Sequence, residues 1–97
     1  MKKKQNTFKD YLKGKLKNKT FREAYEHYGN VLQIGLRVRD LREKAGLTQA
    51  ELADRLKISQ QVISRIESGE VDNPTVSTLE RIAKATGNHL RLEFEPA

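Results

Sequence analysis

Two short helical patterns lie only three residues apart in the middle of the chain, and no other feature restricts its fold as strongly. The first begins at a capping-box pattern formed by Thr48 and Glu51. The second follows Ser59, which can cap it, and ends at Gly69. Apolar residues fall on one side of each pattern: Leu52, Ala53 and Leu56, then Val62, Ile63 and Ile66. Residues 57–59 leave room only for a tight turn, so helices at 49–56 and 60–68 are expected to cross closely.

Apolar residues at helical spacing predict further helices on both sides of this pair. One ends at Gly46 and carries Ile34, Val38, Leu41 and Ala45 on one face. Another follows Pro74 and Thr75, ends at Gly87 and turns inward Val76, Leu79, Ile82 and Ala83. Two more capping-box patterns, Thr7 with Asp10 and Thr20 with Glu23, predict two short helices before a break at Gly29-Asn30. The first of these two is interrupted by Gly14 and by residues 17–19.

Near the end of the chain, the spacing of apolar residues changes from a helical period to alternation. Leu90, Leu92 and Phe94 alternate with charged residues, which predicts one β-strand over residues 89–95. A lone strand cannot satisfy its own backbone groups, so we expect it to pair with its symmetry mate in a two-fold homodimer. The three apolar side chains would then cover the helices. The alternative is a strand that covers its own domain without a partner.

The fold class expected from these patterns is an all-α bundle with a C-terminal β-strand. We expect a basic N-terminal extension at residues 1–30, a helical domain at 31–87 and a strand segment at 88–97. The 97 residues suffice for one small core. The chain contains no cysteine, which excludes disulfides and thiolate metal sites. It has no secretory signal pattern and no apolar run of about 18 residues, so we expect no membrane contact and a cytoplasmic location.

The positive charge is concentrated at the start of the chain. Residues 1–20 carry eight lysines and one acidic residue, whereas the other 77 residues are almost neutral. A lysine-rich tail suits contact with phosphate groups, and it is equally compatible with a solvated terminus. No pattern in the chain indicates catalysis or a cofactor, because His27 and His89 lie beside no nucleophile or metal-ligand spacing.

The second helix of the central pair presents a polar face that suits reading of DNA bases. Its members are Gln60, Gln61, Ser64, Arg65 and Ser68. In the major groove, Gln binds adenine and Arg binds guanine through paired hydrogen bonds. Gln49 begins the preceding helix, where its side chain and backbone N–H can meet a phosphate. The pattern therefore predicts a helix-turn-helix over residues 48–69 that binds double-stranded DNA, although a solvated face of a bundle would show the same polarity.

Three blocks of sequence resemble the Cro/lambda-repressor-type helix-turn-helix family. They are Leu41-Arg-Glu-Lys-Ala-Gly-Leu-Thr-Gln-Ala-Glu-Leu-Ala53, then Ile58-Ser-Gln-Gln-Val-Ile-Ser-Arg-Ile-Glu-Ser-Gly69, and finally Asn73-Pro-Thr with Thr78-Leu-Glu-Arg-Ile-Ala-Lys-Ala-Thr-Gly87. The resemblance implies a five-helix DNA-binding domain that acts as a homodimer without catalysis. A dimer of this kind would place two recognition helices about 34 Å apart on a palindromic operator.

The resemblance also implies roles for individual residues. Gln49 would anchor its helix to the DNA backbone, Gln60, Gln61 and Arg65 would read bases, and Ser59 and Ser64 would contact phosphates or groove edges. Arg42 and Glu67 would form a structural ion pair. Two departures stand out: Lys57 occupies a turn position often filled by glycine, and the following loop carries Glu70 and Asp72, which leaves Asn73 as its only expected phosphate contact.

The segment Phe21-Arg-Glu-Ala-Tyr-Glu26, together with the chain length and the terminal strand, is similar to antitoxins of the HigA type. Such proteins neutralise a small basic ribonuclease toxin of RelE-like fold and repress their own operon. The resemblance makes five residues candidates for toxin contact: Phe21, Glu23, Tyr25, Glu26 and Tyr28. The alternatives are that the aromatic residues pack on the bundle, that the chain is a stand-alone repressor, and that it is an interaction module without DNA binding.

Overall fold

The structure is a computed structural model that describes residues 7–71 and 74–97, and the regular elements in these residues are α-helices. They are α1 (Phe8–Lys15), α2 (Lys19–Lys44), α3 (Gln49–Leu56), α4 (Gln60–Ser68) and α5 (Val76–Ala85). The expected all-α class is confirmed, and the predicted bounds of the central helix pair agree with the structure. The helices in the described part of the chain are too short or too polar to cross a lipid bilayer.

The chain forms two compact units, one up to Asn30 and one from Val31 onward. The core of the second unit consists of Val38, Leu52, Ala53, Leu56, Ile63, Ile66 and Ile82. Leu52 and Ile63 are completely buried, and Ala53 is small enough for α3 and α4 to pack closely. The inward positions predicted for α3 and α4 are therefore confirmed except Val62, which is 36% exposed, and the predicted inward position Val76 of α5 is 52% exposed.

The ends of the helices follow the predicted capping residues in the second unit. Thr48 and Glu51 form both hydrogen bonds of a capping box at the start of α3. The side chains of Ser59 and Thr75 accept hydrogen bonds at the starts of α4 and α5. Lys57 ends α3 in the left-handed region, with φ 56° and ψ 43°. This conformation is costly for a residue with a Cβ, by about 1 kcal/mol or more.

Two predictions about the first 44 residues are wrong. Helix α2 begins at Lys19, where the Oδ1 atom of Asn18 accepts a hydrogen bond of 2.9 Å from the Phe21 N–H, so Asn18 takes the capping role assigned to Thr20. The helix also continues through Gly29-Asn30 without a break. A glycine inside a helix costs only about 1 kcal/mol relative to alanine, and the backbone hydrogen bonds of a 26-residue helix outweigh that cost.

The predicted β-strand is also wrong for the structure of this single chain. Residues 88–97 belong to no helix or strand. Leu90 is half-buried, whereas Leu92 is 63% exposed and Phe94 is fully exposed, so these side chains do not cover the helices as expected. A β-strand exists only through hydrogen bonds to a second strand, and the rest of the described chain is helical or irregular.

Candidate nucleic-acid interface

Helix α4 is held against α3 so that one side is buried and the other is open to solvent. The turn between them closes when the N–H groups of Lys57 and Ile58 both donate to the Ala53 carbonyl. Ile63 and Ile66 then enter the core. The opposite side of α4 carries Gln60, Gln61, Arg65 and Ser68 as exposed residues and Ser64 as a half-buried one. This exposed side is called the α4 face below.

The polar groups of the α4 face are largely free to bind another molecule. Among the described residues, neither the amides of Gln60 and Gln61 nor the guanidinium of Arg65 has a hydrogen-bonding or ionic partner. The Ser59 oxygen accepts the Val62 N–H at 3.4 Å, which leaves its hydroxyl proton available. The Ser68 hydroxyl lies 3.2 Å from the Arg65 carbonyl oxygen and 2.9 Å from a Glu70 carboxylate oxygen. Ser68 is therefore engaged locally, whereas the side chains of Gln60, Gln61 and Arg65 have no partner within residues 7–71 and 74–97.

An ion pair between Arg42 and Glu67 ties α2 to α4, as the family resemblance implies. The Nε and Nη2 atoms of Arg42 donate to the two carboxylate oxygens at 2.7 and 3.0 Å. A third donor, Nη1, binds the Leu47 carbonyl at 2.9 Å. The two charged side chains are only 11% and 5% exposed, so both oxygens and the guanidinium are satisfied inside the protein.

Glu67 stays ionised despite its burial. Burial raises the pKa of this carboxyl, but hydrogen bonds from Arg42 and Gln49 outweigh that effect and lower the pKa below its ordinary value. For Arg42, the hydrogen bond to Glu67 is the largest influence and raises the guanidinium pKa against the opposing effect of burial. The pair is therefore charged throughout the neutral pH range.

Gln49 joins the same cluster, which sequence reasoning did not anticipate. Its Nε2 atom donates to the Oε1 atom of Glu67 at 3.0 Å, and the residue is half-buried. One amide proton is used in this bond, whereas the second proton and the carbonyl oxygen remain available. The first turn of α3 is thereby connected through Glu67 to the C-terminal half of α4.

Gly35 is a further residue that sequence reasoning missed. A Cβ atom at this buried position would lie 2.5 Å from the Ile66 carbonyl oxygen and 2.7 Å from that of Glu67. The backbone of α2 therefore approaches the end of α4 more closely than any other residue type allows. Gly35 follows Val31 by four residues and precedes Val38 by three, so its place on the buried face of α2 could have been found from the helical period.

The residues predicted to face a toxin do not share one surface. Phe21 is half-buried and stacks on Tyr25 with 6.4 Å between ring centroids, whereas Tyr25 and Tyr28 are 45% and 57% exposed. These aromatic residues recur at i, i+4 and i+7 along α2 and so lie on one side of it. Glu23 and Glu26 are exposed and fall on the other side by the same period.

Asp72, Asn73 and the lysines at positions 2–4 lie outside the described residues. Glu70 is described and exposed, and it accepts from Ser68 at the end of α4. Its negative charge lies next to the α4 face, where it would oppose close approach of a phosphate.

Comparison with known proteins places the central helices in a known family. The family model described as Helix-turn-helix matches residues 38–92. The HTH-type transcriptional regulator y4dJ of Sinorhizobium fredii is 43% identical over 60 residues, which cover 61% of this chain and 77% of that protein. The immunity repressor protein of Bacillus phage phi105 is 36% identical over 56 residues, 58% of this chain and 38% of its own length.

The similarity extends to a protein named as an antitoxin. The putative antitoxin HigA2 of Mycobacterium tuberculosis is 37% identical over 54 residues, which cover 56% of this chain and 54% of that protein. No solved structure matches the chain.

Proposed function

The chain belongs to the Cro/lambda-repressor type of the Helix-turn-helix family of DNA-binding transcriptional regulators, and we propose that it binds a specific operator through the α4 face. Gln60, Gln61 and Arg65 enter the major groove and bind base edges. Ser59, Ser64 and Gln49 contact the phosphates or groove edges beside them. Bound in this way, the protein blocks or redirects transcription at a promoter.

One observation carries this proposal: the α4 face has unpaired polar groups while the rest of its helix is rigidly held. Gln60, Gln61 and Arg65 lack partners among the described residues, yet Ile63, Ile66 and the Arg42–Glu67 pair fix the helix beneath them. A helix that reads DNA must keep its side chains in register with the bases, and this support supplies the fixed position that such reading needs.

Replacing Arg65 by Ala tests the proposal directly. Selection from random duplexes first supplies the operator, and fluorescence anisotropy then gives the affinities for operator and for random DNA. We expect the variant to lose about 1–3 kcal/mol of operator affinity and to relax one base position, because a paired contact with guanine contributes that much. Arg39→Ala is the control, since Arg39 is exposed on α2 and paired with Glu43. Equal losses on both DNAs would make Arg65 a phosphate contact and contradict its assignment as a base reader.

We further propose that the protein binds a palindromic operator as a homodimer, with Leu90, Leu92 and Phe94 at the contact between subunits. Two of these side chains are solvent-exposed in the single chain, which leaves apolar surface for a partner to cover. Leu92→Lys is expected to reduce dimer formation in analytical ultracentrifugation and to weaken operator binding. A folded variant that dimerises like the unmodified protein would remove these residues from the interface.

An antitoxin role is the second candidate, favoured by the similarity to HigA2. Under this proposal, residues 7–30 contact a small basic ribonuclease toxin. The two sides of α2 offer different contacts, because Tyr25 and Tyr28 bury apolar area whereas Glu23 and Glu26 attract cations. The similarity to the phi105 repressor favours a stand-alone repressor instead.

Co-expression with the product of an adjacent short reading frame separates these two roles. An antitoxin forms a stable complex with that product and relieves its toxicity, and a stand-alone repressor does neither. In a complex, Glu23→Lys/Glu26→Lys weakens binding if the acidic side of α2 faces the toxin. Tyr25→Ala/Tyr28→Ala weakens it if the aromatic side does.

A further inference from the structure

A groove of about 470 Å³ lies at the C-terminal ends of α3 and α5, away from the N-terminal end of α3 that carries Gln49. Its lining consists of Arg55, Leu56, Arg81, Lys84 and Ala85. It is called the α3–α5 groove below. Neither the α4 face nor the Arg42–Glu67 pair includes any of these residues, so the proposed operator contact does not explain them.

The groove is held in shape by two reciprocal hydrogen bonds. Arg55 of α3 donates from Nη1 to the Ala85 carbonyl at the end of α5, at 3.1 Å. Arg81 of α5 donates from Nη2 to the Leu56 carbonyl at the end of α3. Each arginine thus caps the negative end of the other helix, where a cation is electrostatically favoured. Each guanidinium has five N–H donors, and the contacts of the described residues use only one of them in each arginine.

The groove carries positive charge that no close ion pair with the described residues neutralises, although Arg55 attracts the Glu51 carboxylate over a longer distance. Within the described chain, no carboxylate lies within 4.0 Å of Arg55, Arg81 or Lys84. Ala85 is half-buried and adds apolar surface to the lining, as do the methylene groups of the three cationic side chains, whereas Leu56 is almost completely buried beneath them. The surface therefore suits a short segment that combines apolar side chains with carboxylates.

Residues 91–95 of the same sequence have this composition. Leu92 and Phe94 are exposed, and they alternate with Glu93 and Glu95. Arg91 contacts Glu93, whereas Glu95 has no cationic partner among the described residues. The segment does not occupy the groove of its own chain, since Leu92 is 63% exposed and Phe94 is fully exposed.

We infer that the α3–α5 groove of one copy receives residues 91–95 of a second copy, so that two chains exchange their C-terminal segments. The segment leaves the domain directly after α5, where the Asn88 N–H binds the Ala83 carbonyl at 2.8 Å, close to the groove residue Ala85. A two-fold axis near this point brings each segment to the groove of the other copy. Leu92 and Phe94 pack against Ala85 and the aliphatic parts of the arginine and lysine side chains, whose cationic ends reach the carboxylates. This inference rests on the homodimer in the proposed function and names the surface that forms it.

A charge exchange between two variants tests the inference. Lys84→Glu and Glu95→Lys each place like charges together in a homodimer, and we expect each to weaken dimerisation at least about tenfold. In an equimolar mixture, the groove of the Lys84→Glu chain receives the segment of the Glu95→Lys chain, so opposite charges meet again. The groove of the Glu95→Lys chain and the segment of the Lys84→Glu chain are both unmodified, so their contact is that of the original homodimer. We therefore expect the mixture to form a one-to-one heterodimer with an affinity close to that of the unmodified homodimer, measured by analytical ultracentrifugation.

The controls separate this contact from general charge effects and from folding. Lys44→Glu is the matched control, because Lys44 is also an exposed lysine in the last turn of a helix, and its homodimer should be unaffected. Circular dichroism establishes that each variant is folded.

Unchanged homodimers in both variants would overturn the inference, and so would a mixture that fails to form heterodimers. A Lys44→Glu effect as large as that of Lys84→Glu would overturn it too. In each of these cases, operator binding that still depends on Arg65 would leave the proposed DNA contact standing. Loss of all operator binding by the unmodified chain would instead remove the proposed function.

Discussion

The Arg42–Glu67 pair makes a quantitative prediction about stability. Glu67→Gln removes the negative charge and keeps the shape of the side chain. The carboxylate accepts two hydrogen bonds from Arg42, at 2.7 and 3.0 Å, and one from Gln49 at 3.0 Å. Breaking a buried ion pair from one side costs about 3–5 kcal/mol, because the remaining charge is left uncompensated. Glutamine keeps one acceptor oxygen, and Arg42 keeps its hydrogen bond to the Leu47 carbonyl. We therefore expect the free energy of unfolding to fall by about 3 kcal/mol, at the lower end of this range.

Urea unfolding followed by far-ultraviolet circular dichroism measures this loss. Asp40→Asn is the matched control, because Asp40 pairs with Lys44 at 3.2 Å with both side chains more than half exposed. The control should lose less than about 0.5 kcal/mol, as exposed pairs do. Similar losses for the two variants would refute the reasoning, since the pair would then contribute no more than a surface contact.

The pH dependence supplies a second measurement of the same effect. The pKa of Glu67 is lower in the folded chain than in the unfolded one. The stabilisation that ionised Glu67 gives to the folded protein is therefore complete above the pKa of Glu67 in the unfolded chain. It is lost as the pH falls through the pKa of Glu67 in the folded chain. The difference in unfolding free energy between the unmodified protein and Glu67→Gln should narrow over the range from the unfolded-state pKa, about 4.3, down through the folded-state pKa, because protonated Glu67 resembles glutamine. A difference that stays constant over this range would contradict the assignment.

Three more variants test features of the fold and of the tail. Gly35→Ala should lower the free energy of unfolding by about 2–3 kcal/mol, because its Cβ would overlap two carbonyl oxygens. Gly29→Ala has open space around it and should raise the free energy of unfolding by up to about 1 kcal/mol. Equal effects in urea unfolding would contradict the close approach of α2 and α4. Lys57→Gly should stabilise the protein by about 0.5–1 kcal/mol, since glycine accepts a positive φ and the relief of strain exceeds its extra entropy loss on folding. A lower melting temperature would mean that the strain at Lys57 is smaller than that entropy loss. Deleting residues 1–6 removes three lysines and should reduce the slope of log affinity against log salt concentration by at most about 2–3, because each phosphate contact contributes about 0.9 to this slope. An unchanged slope would mean that these lysines do not contact DNA.

Much of the helical core could be predicted from the sequence, and the reason is that its signals are local. Thr48, Ser59 and Thr75 cap helices through hydrogen bonds to residues three positions away. The period of apolar residues identified the buried sides of α3 and α4, because a helix of regular pitch brings residues three and four apart onto one face. The family resemblance added the Arg42–Glu67 pair, which no local pattern indicates.

The same local reasoning failed where two local signals competed. Asn18 and Thr20 are both good capping residues, and the structure uses the earlier one. Gly29-Asn30 is a frequent place for a helix to end, yet the residues on both sides extend α2 through it. Such choices depend on summed free energies over a whole helix, which a dipeptide does not reveal.

Residue order alone establishes the concentration of lysines at the start of the chain. It also establishes most of the succession of helices and the exposed polar side of α4, because these depend on neighbours within one or two helical turns. Long-range packing supplies the rest: the partner of the Gln49 amide, the closeness of α2 and α4 at Gly35, and the pairing of Arg55 and Arg81 with opposite helix ends. These contacts join residues between 18 and 32 positions apart. Their geometry exists only after the helices have packed, since no interaction between sequence neighbours can set the distance between two helices.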